Sequence, residues 1–203
     1  MENRILRYFE AEMRAKDGGN MEVEGYALKF EKETQIGSKK WGWLEKIKRT
    51  ALDGADLSDV VFNFNHDMSN ILAGTRNESL TLTADNTGLK TVARIADTST
   101  GRDVYKLIEE GLICRMSFMA IISASEWIWA DDDSDESDRR EITGFGRFYD
   151  VSAVTFPAYE DTELGTRGSE VAVRSFSAEL AQRKQQIYER QINRMEKILG
   201  GKM

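Results

Sequence analysis

Residues 113–129, from Ile113 to Trp129, form a long run dominated by β-branched and aromatic residues. A run of that composition and length predicts one extended strand. It is followed by residues 131–141, which carry seven acids and two arginines and read as a solvated hairpin loop. Ile142 to Phe156 then returns as a strand, with Gly144 and Gly146 as natural bulge points. A long hairpin therefore dominates the second half of the chain.

The first half is strand-rich as well. Met21 to Phe30 alternates, with Val23, Gly25, Ala27 and Lys29 on one face and Glu24, Tyr26, Leu28 and Phe30 on the other. Residues 4–15 fit helix or strand, and residues 31–40 read as a loop. Trp41 to Arg49 and Val60 to Asn65 are expected as strands, with a short helix or turn at 51–58 between them. A loop after residue 66 should lead to Leu72. Strands at 79–83 and 89–95 flank Asp85-Asn86-Thr87-Gly88, good hairpin-turn chemistry. Thr98-Ser99-Thr100 can cap a helix over 102–110 with Val104, Leu107 and Ile108 inward, stopped by Gly111. From Ser177 to Leu199 the chain lacks Gly and Pro, and Tyr188, Ile192, Met195 and Leu199 fall at heptad-like spacing. The expected organisation is a mostly β body with flanking helices (1–164), a linker (165–176) and a C-terminal amphipathic helix (177–203). That helix would serve as a dimer seam or a tether.

A net charge of −7 argues against a general nucleic-acid binder. No apolar run reaches the roughly 20 residues of a bilayer span, and the first residues lack the apolar core of a signal peptide. A single cysteine, Cys114, excludes an internal disulfide and suits a reducing compartment. One Cys and one His leave no structural zinc pattern. No metal and no cofactor is expected.

The one histidine, His66, lies in Asn63-Phe64-Asn65-His66-Asp67, after an apolar stretch. Imidazole chemistry near neutral pH must therefore use it. Ser117 stands among apolar residues of the long strand, and a buried hydroxyl without a partner costs about 1–3 kcal/mol. A histidine on a neighbouring strand is one such partner, and that pairing would make Ser117 a nucleophile with His66 as base. Backbone is another partner and would make the serine merely structural. Asp150, in an otherwise apolar strand, is the candidate orienting acid. Asp67 adjoins His66 but should point away from it. Cys114, an odd number of residues from Ser117, should face the other side, and Ser152 is the second-ranked rival nucleophile.

In order along the chain, Glu24-Gly25-Tyr26-Ala27, Phe64-Asn65-His66-Asp67, Leu72-Ala73-Gly74, Gly101-Arg102-Asp103-Val104-Tyr105, Met116-Ser117-Phe118 and Asp150-Val151-Ser152-Ala153-Val154-Thr155-Phe156-Pro157-Ala158-Tyr159 form a recognisable set. Over residues 20–165 the chain resembles the prohead maturation proteases of tailed phages, of the HK97 type, which share a fold with the herpesvirus assembly proteases. The resemblance implies a closed or nearly closed antiparallel β-barrel and a serine endopeptidase. It implies His66 as base, Ser117 as nucleophile and Asp150 as third member, where the family commonly has Glu. Met119 replaces the usual glycine after Ser-Phe. The implied substrates are phage major capsid protein and scaffold segments and the enzyme itself, cut inside the immature capsid in the host cytoplasm. Assembly as a homodimer or higher oligomer is expected, with no nucleic acid or membrane partner. The alternative is a non-catalytic, scaffold-like capsid assembly protein on the same barrel.

Overall fold

The computed structural model describes residues 4–9, 13–16, 20–36, 42–130 and 137–155, and residues 178, 181–182, 185–189 and 192. In chain order the strands are β1 (Arg4–Phe9), β2 (Arg14–Ala15), β3 (Glu22–Lys29), β4 (Thr34–Ile36), β5 (Trp43–Ile47), β6 (Val61–Phe64), β7 (Asp67–Gly74), β8 (Leu80–Ala84), β9 (Gly88–Arg94), β10 (Arg115–Ile128) and β11 (Arg139–Val154). A 3-10 turn spans Arg49–Leu52, and helix α1 spans Ser99–Glu109.

The long hairpin is present. β10 and β11 pair antiparallel from Arg115 opposite Val154 to Ile128 opposite Arg139. Its two halves differ. Met116 to Ala120 are buried on both faces, whereas Ser123, Ala124, Glu126 and Ile128 are exposed. The register slips at several points between Met119 and Ser125, and such bulges bend the ribbon and increase its twist. Gly144 marks one of them. A Cβ there would lie 2.9 Å from Ser123 Oγ. In the buried half, Phe118 packs with Phe145 and Phe148 at centroid separations of 5.5 and 5.4 Å. Each ring contributes on the order of 1.5–3 kcal/mol on full burial, so this end of the hairpin is the rigid one.

The expected closed barrel is not what forms. The described residues form two sheets, one of seven strands with a path β1-β10-β11-β5-β4 and one of four strands in the order β2-β3-β9-β8. Among the described residues neither sheet closes on itself. The reason lies in β11. It pairs in parallel with β5 through residues 139–142 and then with β6 through residues 150–153. Between them the Asp56 N–H donates to Gly146 O at 2.6 Å, and the Phe148 N–H donates to Asp56 O at 3.0 Å. Thus β5, the 3-10 turn and β6 run beside β11 as one interrupted strand. The sheet forks there, with β4 and β7 each ending a branch, instead of curling round to a single seam.

Smaller differences have local causes. A bulge between Tyr26 and Leu28 in β3 buries both Ala27 and Leu28, breaking the strict alternation. Residues 34–36 form strand β4 inside the expected loop, and β7 begins directly after His66. α1 starts at Ser99, where the Gly101 N–H donates to Thr98 Oγ1 at 2.9 Å, and Val104 and Ile108 are buried as expected. The described residues between 178 and 192 are helical, with Tyr188 exposed. Met195, Leu199, the linker 165–176 and the acidic residues 131–136 lie outside the described residues.

Candidate active site

β6 and β7 form a hairpin in which Phe64 pairs with Asp67, leaving Asn65 and His66 as a two-residue loop. Both loop residues have positive φ, 53° and 58°, as a type I′ turn requires. Asn suits the first position. Glycine is the usual second residue, and a histidine held left-handed costs about 1–2 kcal/mol. Strain of that kind persists only where neighbours hold it. Here the Asn65 N–H donates to Ala153 O at 2.9 Å, and the His66 N–H donates to Ser152 Oγ at 3.2 Å. The turn is tied to β11 at consecutive residues.

The paired registers set the other groups. Ser117 on β10 stands opposite Ser152 on β11, and Ser152 stands opposite Asn63 on β6. Asp150, two residues before Ser152, shares its face. The imidazole projects into this row. His66 Nε2 lies 2.6 Å from Ser117 Oγ, and Nδ1 lies 2.7 Å from Asp150 Oδ1. Ser117 and Asp150 have no exposed surface, and His66 is 7 % exposed. The second carboxylate oxygen, Asp150 Oδ2, is buried without a hydrogen-bond partner among the described residues. The three residues singled out from the sequence are therefore joined in one chain through His66, and the shorter Asp reaches the ring.

The rivals sit elsewhere. Asp67 accepts from the Ser69 hydroxyl and N–H and from Asn70. Those bonds, the Ser69 hydroxyl foremost, hold its carboxyl below the ordinary value. Cys114 is exposed and precedes β10. Ser152 Oγ meets the Nδ1 side of the ring, at 3.0 Å, not the Nε2 side. Gly144 pairs with Ala124, seven residues along β10 from Ser117. At ~3.3 Å per residue that is roughly 20 Å away. Met119 is buried and pairs opposite Asp150.

One contact has no sequence signal. The backbone oxygen of Arg7 also lies 2.6 Å from Ser117 Oγ, a second acceptor that competes with His66 Nε2 for the one hydroxyl proton, because β1 lies along β10 with Tyr8 opposite Ser117. β1 is anchored by a buried ion pair. Arg7 Nε and Nη2 donate to the two oxygens of Glu45, the latter at 2.8 Å, and Arg140 Nη1 lies 3.7 Å from the same carboxylate. Burial alone would push the Glu45 carboxyl up. The Arg7 charge and hydrogen bonds, with Arg140, outweigh that and leave it below its ordinary value.

A family model described as caudovirus prohead serine protease matches residues 9–182 of the 203. The chain belongs to this family. It is thus a phage serine protease of capsid maturation at family level, with capsid protein as the class of substrate. Neither a curated protein nor a solved structure matches the chain. The matched span contains Ser117, His66 and Asp150, whereas Arg7, which closes over the serine, precedes it.

Proposed function

We propose that the protein is a serine endopeptidase using Ser117, His66 and Asp150 as nucleophile, base and orienting acid. The observation that carries this is the unbroken chain Ser117 Oγ to His66 Nε2, and His66 Nδ1 to Asp150 Oδ1, at 2.6 and 2.7 Å. An ionised Asp150 favours a proton on Nδ1, leaving a lone pair on Nε2 for the serine proton. Ser117 Oγ attacks a peptide carbonyl as Nε2 takes that proton. The tetrahedral adduct collapses, Nε2 protonates the leaving amine, and water repeats the cycle on the acyl-enzyme.

The site is closed. Ser117 has no exposed surface and its hydroxyl is shared between Nε2 and Arg7 O. A substrate carbonyl reaches it once β1 gives way along β10. The natural substrates on this reading are major capsid protein and scaffold segments, and the enzyme itself. Cleavage takes place inside the immature capsid in the host cytoplasm. The seam Tyr188–Ile192–Met195–Leu199 acts as a tether or as the contact of a homodimer or larger oligomer. The closed serine also favours a second reading, an inert assembly protein. Co-expression of Ser117→Ala with the phage's capsid protein separates the two. Loss of capsid-protein processing supports the first reading, and processing at the parental rate removes Ser117 as nucleophile.

A further inference from the structure

We propose that Ser152, seated by Asn63, is a positioning residue that selects the His66 tautomer needed for proton transfer from Ser117. This rests on the proteolytic reading above.

Ser152 and Asn63 are both fully buried and stand in one row with Ser117 across β10, β11 and β6. Ser152 Oγ touches four groups: His66 N at 3.2 Å, His66 Nδ1 at 3.0 Å, Asp150 Oδ1 at 3.1 Å and, in a very short contact, Asn63 Oδ1. A hydroxyl has one proton to give and two lone pairs to offer. Asn63 Oδ1 and the Asp150 carboxylate can only accept. The Asn63 amide is oriented by its other end, where Nδ2 donates to Met68 Sδ at 3.6 Å.

Asp150 Oδ1 is already engaged by His66 Nδ1 at 2.7 Å, so the Ser152 proton goes to Asn63 and the lone pairs turn toward the histidine. One receives the backbone N–H of His66 and fixes a left-handed residue that would otherwise relax. The other faces Nδ1, an attractive contact only when Nδ1 carries the proton. That proton is then shared between Asp150 Oδ1 and Ser152 Oγ, and Nε2 is left bare 2.6 Å from Ser117 Oγ. Ser152 touches neither the substrate nor the transferred proton, and acts through His66.

The single histidine makes the test clean. Its two ring nitrogens give the only imidazole 15N signals of the chain, and they report which nitrogen is protonated. They are read in a Ser117→Ala background, where no self-cutting occurs. The parental signals should show the proton on Nδ1, and Ser152→Ala should move it toward Nε2. With Ser117 intact, Ser152→Ala should lower kcat about 10- to 100-fold, the scale of a small misplacement of a reacting group. KM should stay within about twofold. Ser152→Thr, which keeps the hydroxyl, should recover most of the loss. Asn63→Ala, which leaves Ser152 in place, should shift the ring signals in the same direction, and it serves as the second arm if Ser152→Ala does not fold. Unchanged ring signals with parental kcat in Ser152→Ala, in an active parent, would overturn the proposal alone. An inactive parent whose ring signals still respond to Ser152→Ala would overturn the proteolytic reading and leave the tautomer selection standing.

Discussion

Replacing Asp150 by Asn tests the orienting role with almost no change in shape. Asp150 is fully buried. Its Oδ1 lies 2.7 Å from His66 Nδ1 and 3.1 Å from Ser152 Oγ, while Oδ2 has no partner among the described residues. An asparagine amide placed there has one end near two potential acceptors and the other end near none. Its NH2 group should therefore turn toward Ser152 and Nδ1, donating to both. Nδ1 becomes an acceptor, the ring proton moves to Nε2, and the Ser117 hydroxyl faces an N–H in place of a base. A wrong tautomer with intact geometry costs about 10⁴ in kcat in a Ser-His-Asp enzyme, equivalent to about 5 kcal/mol in the barrier. The assay is single-turnover cleavage of capsid protein at saturating enzyme, with thermal melting to show that the fold survives. Asp150→Asn retaining a rate within about tenfold of the parent, with the proton still on Nδ1, would refute the reasoning.

The turn at His66 predicts an inverted glycine effect: His66→Gly should be more stable than His66→Ala by about 1 kcal/mol, because φ is 58° there, and urea denaturation measures it. Glu45→Gln leaves the buried Arg7 guanidinium without its counter-charge and should cost about 3–5 kcal/mol by the same method. Since the folded Glu45 carboxyl sits below its ordinary value of 4.5, the pair's stabilisation is complete above that pH. It is lost as pH falls through the lower folded value, so the parent should destabilise on acidification more steeply than Glu45→Gln. The same variant loosens β1, and serine-directed labelling of its folded fraction should be faster than in the parent; slower labelling would mean that β1 does not control access. Gly88→Ala places a Cβ 2.0 Å from Leu28 O. Because backbone must move to accommodate it, a loss of about 1–3 kcal/mol is expected, read as a drop in Tm.

Much of this architecture was legible because buried strands advertise themselves. β3, β9, β10 and β11 carry apolar alternation or continuous apolar runs, and α1 carries its cap. β4 and β7 did not show. Half of β7 is exposed, from Asp67 through Ile71 apart from a half-buried Asn70, so no period-2 pattern marks it. The fork at β11 was illegible for a different reason. Whether β5 and β6 lie parallel beside one strand depends on contacts nearly a hundred residues apart, and nothing in either segment records them. The barrel expectation came from resemblance, and the parallel pairings overrule it.

At the site, the need of buried polar groups for partners pointed to Ser117, His66 and Asp150, and the structure brings them together. The same logic applied to Ser152, but face and distance along a strand cannot tell which ring nitrogen a hydroxyl meets. Asn65-His66 reads like Asn-Gly with the glycine replaced, a usable sign of a strained turn. Arg7 gave no sign at all, since what it offers Ser117 is a backbone oxygen.

The most direct measurement is peptide mapping of the protein after reaction with a serine-directed phosphonate. A single adduct on Ser117, absent in His66→Ala, is the expected result. An adduct on Ser152, or labelling of Ser117 that survives loss of the imidazole, would contradict it.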